Sequence, residues 1–350
     1  MTPSRRSLLR ALAAWPVLES CLLSAGALAT TSVRAQSPTL DKVSVISFGG
    51  GFNLPLWAAR DQGFFTRNAI DAQLSITSGS KELFTGMLEG KFHIAITAMD
   101  NILAYQEGQG EVKFDPPSDF FAFMGSDDGF LSLVAAPDIK SFADLKGKTI
   151  SVDAMSNGFS FALREMLARN GIAETDVQWA RAGVTDRRFV ALMEGQHAAT
   201  MLRAPFDIQA KNKGFNQLTK TRDVIGPYMG IVGAARRSWA QANEATVVRF
   251  ITAYHDAIRW LKAPENRAQA QALLMRNVPN MAEQIAAQSC DLMLHPQSGF
   301  FYDVQLDEKG VKAVLDLRSK LAEGGKKLDD PTKYMDSRYW QKAMGRAAGD

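Results

Sequence analysis

Short runs of β-branched and apolar residues alternate along the chain with segments whose apolar residues recur at helical spacing. Residues 43–47 predict a strand, which Gly49-Gly50-Gly51 break. Asn53 and Pro55 mark the start of a short helix, and Gly63 ends it. Residues 72–77 predict a second strand. Ser78-Gly79-Ser80 reads as a turn with capping serines. Leu83, Phe84, Met87 and Leu88 share one face of the following helix, up to Gly90. Residues 94–97 predict a third strand, with Asp100-Asn101 capping another helix. This β-α-β-α-β order, with short connections, predicts a parallel sheet.

The pattern then recurs. Residues 149–152, 177–179 and 198–202 predict strands. Between them, Asn157-Gly158-Phe159 opens a helix that Gly171 ends, and Phe189, Val190, Leu192 and Met193 lie on a helix that Gly195 ends. Gly51-Phe52 matches Gly158-Phe159, Gly63 matches Gly171, and Glu89-Gly90 matches Glu194-Gly195, at a nearly constant offset. Two lobes on one plan are expected. The remainder reads as helical, over residues 247–261, 267–276, 281–292 and 307–322. The acidic stretch 115–119, with Pro116-Pro117, predicts a surface connection between lobes.

Composition narrows the class. The 350 residues are 46% hydrophobic and 22% charged, which excludes a disordered chain, a collagen-like repeat and a polytopic membrane protein. The formal net charge of +3 lies in the first 35 residues, where four arginines face one glutamate. The rest of the chain is neutral, so basicity gives no argument for nucleic acid. Residues 1–35 are predicted to be a cleaved signal peptide ending near Ala35. Ser4-Arg5-Arg6-Ser7-Leu8-Leu9-Arg10 resembles a twin-arginine export signal. Arg10, Pro16 and Glu19 interrupt the apolar run and argue against an anchor. Cys21 is assigned to the discarded leader, which leaves Cys290 as a lone thiol and a small buried residue.

In an open parallel sheet, ligands bind beyond the carboxyl ends of the strands. Those ends, with the segments near the expected crossovers, single out Phe52, Asn53, Trp57, Ser78, Ser80, Asp100, Asp127, Asp153, Ser156, Asn157, Phe159, Arg203 and Tyr228 as ligand-binding candidates. The aromatic members suit a flat apolar clamp. The polar members disagree. Asp100, Asp127, Asp128 and Asp153 favour a cation or a hydrogen-bond donor, whereas Arg203 and the pair Arg187-Arg188 suit a carboxylate or sulfonate. A small, partly aromatic or nitrogen-bearing solute is expected over a bare inorganic anion. The glycines 49–51 are not followed by Gly-Lys-Ser/Thr, His93, His197, His255 and His295 form no ligand pair, and no G-x-S-x-G elbow occurs. Phe300-Phe301-Tyr302 reads as core or lobe surface rather than a stacking platform. No catalytic residue, metal or cofactor is expected.

Four segments carry a resemblance to a known family. Asn53-Leu54-Pro55-Leu56-Trp57-Ala58-Ala59-Arg60-Asp61-Gln62-Gly63-Phe64-Phe65 resembles its opening helix and "GFF" turn. Leu88-Glu89-Gly90-Lys91-Phe92-His93-Ile94-Ala95 resembles its "L-x-G-x-x-D-I-A" element, with His93 in place of the acid. Asp144-Leu145-Lys146-Gly147-Lys148-Thr149-Ile150-Ser151-Val152 resembles the start of its second lobe, and Ala191-Leu192-Met193-Glu194-Gly195 the second-lobe copy. Together they resemble the periplasmic substrate-binding proteins of ABC importers, in the branch that binds sulfonates, nitrate, taurine and thiamine-pyrimidine precursors.

The resemblance implies an α/β fold of type II: two Rossmann-like lobes joined by a two-crossover hinge. Mapped here, lobe one is 36–129 plus 229–350, and lobe two is 130–228. It implies a monomeric, non-enzymatic periplasmic protein. Such a protein closes on a small-molecule ligand and delivers it to a membrane ABC permease with a cytoplasmic ATPase. The alternatives are an enzyme on the same fold, such as a pyrimidine-precursor synthase or a lyase, and a sensory binding module. Fungal relatives that make the thiamine pyrimidine carry a cysteine cluster, which the mature part of this chain lacks.

Overall fold

Ten strands form two five-stranded sheets in the structure, a computed structural model that describes residues 39–345. The expected leader, 1–35, lies outside the described residues. The strands are β1 (Asp41–Phe48), β2 (Ile70–Thr77), β3 (Ile94–Ala98), β4 (Phe120–Asp127), β5 (Ser132–Ala135), β6 (Thr149–Val152), β7 (Gln178–Arg181), β8 (Ala199–Leu202), β9 (Asn216–Lys220) and β10 (Ile231–Arg236). The first sheet has the order β2-β1-β3-β10-β4 and the second β7-β6-β8-β5-β9. In each, three strands expected from the sequence pattern run parallel.

The chain passes between the sheets twice, after β4 and after β9. A chain leaving a parallel strand does so at its carboxyl end. It therefore meets the other sheet at the carboxyl ends of that sheet's parallel strands, and must run backwards through it. That is what happens. β5 is antiparallel to β8 and β9, and β10 is antiparallel to β3 and β4. Each visiting strand lies second from an edge, so the two sheets have the same order. The fold is α/β, with two Rossmann-like lobes joined by two crossovers, as expected. The stretch 115–119 is not one of those crossovers. It leads from the helix Met99–Gln106 into β4, inside the first lobe, which corrects the expectation for it.

Two expected caps are also corrected. Ser78 and Ser80 do not cap the helix Ser80–Leu88 with their side chains. Glu82 reaches back instead, and accepts from the Ser78 N–H at 3.0 Å and the Ser78 hydroxyl at 2.9 Å. Asp100 lies inside the helix Met99–Gln106, whose N-cap is Ala98. The expected cap at Asn157 is present, its side chain accepting from Ser160 N–H at 2.9 Å.

Packing joins the lobes. One apolar cluster sets Val247, Phe250, Ile251 and Tyr254, on the long helix Glu244–Lys262, against Val43, Val45 and Phe123 of the first sheet. A second cluster runs from Ile46 and Leu103 through Val311 and Val314, on the helix Glu308–Leu321, to Ile150 and Leu163 in the second lobe. The Arg318 side chain, fully buried, fastens the same helix to both lobes. Its Nε and Nη2 donate to the two oxygens of Asp100 at 2.7 and 2.6 Å, and Nη2 also donates to the Ser156 carbonyl of the second lobe at 3.0 Å. Gln109 Oε1 takes Nη1 at 2.8 Å. Gly158 permits this approach, because a Cβ there would lie 2.3 Å from the Asp100 Cβ.

Two outcomes follow from this packing. Asp100→Ala leaves the Arg318 charge buried and half-paired, and is expected to cost about 3–5 kcal/mol in urea unfolding. Lys312→Ala, which breaks the exposed pair with Asp316, is expected to cost under about 0.5 kcal/mol. Cys290 is fully buried, and burial pushes its thiol up to about 11. It is expected to resist a maleimide at neutral pH in the folded protein and to react fully in denaturant, read by peptide mass.

Candidate functional site: the interlobe cleft

A cleft of about 1030 Å³ opens between the lobes, at the carboxyl ends of the parallel strands. From the first lobe it takes Phe48 at the end of β1 with Gly49 and Gly50 after it, Leu74, Ile76 and Thr77 of β2, Ala98 at the end of β3 with Asn101 after it, and Trp57. From the second it takes Asp153, Asn157, Gly158 and Phe159 after β6, residues 184–186 and 188–190 after β7, and Arg203 and Phe206 after β8. The segment 277–285, on the C-terminal helical part of the chain, closes one side. The helices Gly158–Arg169 and Thr185–Met193 both begin at the cleft. Their free N–H groups add partial positive charge there.

Two buried arginines dominate the polar part. Arg188 is 2% exposed and anchored by backbone. Its Nη1 donates to the Gly183 carbonyl at 2.7 Å, and Nη2 to the Met201 carbonyl at 3.2 Å. Its Nε has no partner, and Asp153 approaches only to 3.8 Å. Arg203 is 4% exposed and less satisfied still: neither Nε nor Nη1 has a partner. Its guanidinium lies on the Phe52 ring, 3.8 Å from the centroid, with Phe159 at 5.7 Å. Gly50, at φ 145°, allows the Phe52 ring to sit there. Burial lowers the Arg203 pKa to about 10, partly offset by the charges of Asp127 and Asp153, so the group stays cationic at neutral pH.

The carboxylates that left the charge of the site undecided are mostly engaged elsewhere. Asp100 is held by Arg318, and Asp128 pairs with Arg222 at 3.1 Å. Asp127 is fully buried behind the cleft, accepting from Gly129 N–H at 2.7 Å and the Ser126 hydroxyl at 3.1 Å. The lining then carries Arg60, Arg188, Arg203 and Lys213 against Asp153 and Asp186. Around these charges lie Phe48, Trp57, Leu74, Phe159, Phe189, Phe206 and Ile285. Such a site suits an anion with an apolar body.

Of the candidates read from the sequence, the structure brings Trp57, Asp153, Asn157, Phe159 and Arg203 together on the cleft wall. The others lie outside it. Phe52 supports Arg203 from beneath. Asn53 is fully buried, accepting from the Ser47 hydroxyl at 2.6 Å and donating to the Phe48 carbonyl at 2.7 Å. Ser78 serves Glu82, and Ser80 donates to Glu111 at 3.0 Å. Asp100 and Ser156 meet at Arg318, Asp127 sits at the first crossover, and Tyr228 is buried beside Gly310 before β10. The sequence reading did not place Phe48, Ile76, Phe189, Val190 or the segment 277–285 at the site, and Phe206 lay within the strand-end segment 203–207 but was not selected. Arg188 was weighed there but not selected.

The chain matches the model of the NMT1/THI5-like family over residues 53–268. YtlA of Bacillus subtilis (strain 168) is 25% identical over 232 residues, which cover 65% of this chain and 68% of YtlA. The periplasmic nitrate-binding protein NrtA from Synechocystis PCC 6803 superposes with a TM-score of 0.71 at 13% identity, covering 89% of this chain and 90% of NrtA. The periplasmic aliphatic sulphonate binding protein SsuA from Escherichia coli gives 0.66 at 16% identity, covering 87% and 99%. The desulfurization enzyme DSZB shares the fold at 0.59 and 13% identity, over 87% and 99%. The architecture is thus that of the periplasmic binding proteins, which also accommodates an enzyme. With the family model spanning more than half of its length, this chain belongs to the NMT1/THI5-like family.

Proposed function

We propose that the chain is the extracytoplasmic solute-binding component of an ABC importer, capturing a small organic anion between its lobes. The observation that carries this reading is Arg203. A guanidinium 4% exposed, with two N–H groups unpartnered, lies on the wall of an otherwise largely apolar cleft. A buried cation in that state is stabilised strongly by a carboxylate or sulfonate that brings its own acceptors. Arg188 supplies a second cation, and Trp57, Phe159, Phe189 and Phe206 supply surface for the apolar body. Nitrate and sulphonate, the solutes named for NrtA and SsuA, are anions.

The rest of the reading follows the architecture. The two crossovers act as a hinge, and the lobes (36–129 with 229–350, and 130–228) swing together over the solute. The protein works as a periplasmic monomer, exported behind its N-terminal leader, and hands the solute to a membrane permease with a cytoplasmic ATPase. Binding supplies the free energy, and no bond is broken. Among the described residues no thiol or imidazole lines the cleft: Cys290 is in the core, His93 stacks on Trp239, His255 lies against Tyr302 and His295 on Ser298, and His197 is likewise absent from the lining.

The test is a thermal-shift and calorimetric comparison of benzenesulfonate, benzoate and octanesulfonate with benzylamine. The anions are expected to raise the Tm and the amine to leave it unchanged. Arg203→Gln is expected to weaken the anions by about 10- to 100-fold. Trp57→Ala is expected to weaken the aryl anions by about tenfold while leaving the requirement for negative charge. A preference for benzylamine, or full affinity in Arg203→Gln, overturns the assignment. Small-angle scattering at saturation is expected to show a smaller radius of gyration, and an unchanged radius counts against closure.

A further inference from the structure

The chain seals an ionisable side chain, Asp127, behind the anion site without a hydrogen-bonded counter-ion. Asp127 ends β4, at the first crossover. Ser132, five residues on, begins β5 and pairs with Leu202, the residue before Arg203. The pairing brings the segments that carry Asp127 and Arg203 together at this crossover, and Asp127 is not among the residues that line the cleft. Asp127 is fully buried, and its hydrogen bonds come from neutral groups alone: the Gly129 N–H and the Ser126 hydroxyl, which also bonds the Tyr254 hydroxyl at 3.0 Å. Arg203 makes no hydrogen bond with it, and the guanidinium's Nε and Nη1 are buried without a partner.

We infer that anion capture by this protein takes up a proton, with Asp127 as the acceptor that neutralises itself when the solute neutralises Arg203. The inference rests on the reading of the cleft as an anion site. Before binding, the buried pair Asp127⁻ and Arg203⁺ compensate each other's charge through the protein interior. A bound carboxylate or sulfonate takes over that compensation and leaves Asp127⁻ facing a second negative charge in a poorly polarisable interior. Asp127⁻ then accepts a proton from solvent to give the neutral acid. Protonated Asp127 still accepts from Gly129 N–H and can donate to the Ser126 hydroxyl.

The charged neighbours fix the sign. Burial and, after it, the adjacent Asp128 raise the Asp127 pKa to about 7, against the opposing Gly129 hydrogen bond and Arg203 charge. Asp128 is itself paired with Arg222 and faces Lys220, while Arg203 faces Arg188 and Asp153. Tyr254, buried beside Ser126, has its own pKa raised out of the neutral range. Cancelling the Arg203 field removes a lowering influence, so Asp127 has a higher pKa in the complex than in the free protein. Affinity is then full below about pH 7, falls as pH rises through the free and bound pKa values, and levels off above both.

The probe is benzenesulfonate, titrated calorimetrically into the full mature protein. At about pH 7.5 in phosphate and in Tris, the apparent enthalpies are expected to differ by the amount that reports uptake of a fraction of a proton. Binding is expected to be about tenfold weaker at about pH 8.5 than at about pH 6. Asp127→Asn, which keeps the size and both hydrogen bonds of the neutral acid, is expected to abolish proton uptake and flatten the pH profile. Asp207→Asn removes the other buried acid near the crossovers, raised to about 6 and held by Ser132 at 3.1 Å, and is expected to leave uptake in place. Binding by the wild type without proton exchange overturns the coupling alone. Uptake that survives Asp127→Asn, or that vanishes in Asp207→Asn, overturns the assignment to Asp127. No binding of benzenesulfonate at any pH overturns the anion reading and the coupling with it.

Discussion

A guanidinium taken out of water must recover its hydrogen bonds from whatever surrounds it. Three buried arginines do so to different degrees, and the architecture of the site follows from the difference. Arg318 is satisfied within the protein, by Asp100, Gln109 and the Ser156 carbonyl, and it holds the helix Glu308–Leu321 to both lobes. Arg188 is satisfied mostly by backbone carbonyls and keeps its Nε open. Arg203 has the face of Phe52 beneath it and two open N–H groups. The sequence from closed to open runs from the lobe contact to the cleft wall. It converts a scaffold charge into a charge available to a solute.

The carboxylates complete the pattern. Asp100, Asp127 and Asp128 come from the first lobe or the first crossover, and each is turned away from the cleft. Asp100 neutralises Arg318, Asp128 meets Arg222, and Asp127 is enclosed by Gly129 and Ser126. Any of them facing the cleft would oppose an anion and compete for Arg203. Asp153 alone of the four lines it, 3.8 Å from Arg188, where it balances one cation without capping the other.

Much of the fold was legible because local chemistry decided it. β1, β2, β3, β6 and β8 are short runs bounded by glycine turns, and Asn157 caps its helix as its side chain allows. The strands that were not read have physical reasons for silence. β4 and β5 are buried along their whole length, so they show no alternation of apolar and polar positions. β9 is half-buried along its whole length and rich in polar residues. β10 is made largely of small residues, and it exists as a strand because two neighbours clamp it. The site was legible where it lies at strand ends, as at Asp153, Asn157 and Arg203. It was illegible where distant chain completes it. Nothing around Asp100 announces Arg318, and nothing around residues 277–285 announces a cleft built by β1, β2 and β7.

The fold itself does not choose between holding a molecule and transforming it, since the desulfurization enzyme DSZB shares it with binding proteins. The choice rests on what faces the bound molecule. Turnover requires groups that interact more strongly with a transition state than with the ground state. Arg188 and Arg203 are cations anchored by backbone and by an aromatic ring, and they meet an anion's charge as it arrives. Apolar walls act equally on ground and transition states. On the reading proposed above, these interactions serve to deepen the bound state. On that reading, a cleft so lined between two lobes spends its binding energy on capture, as a solute receptor requires.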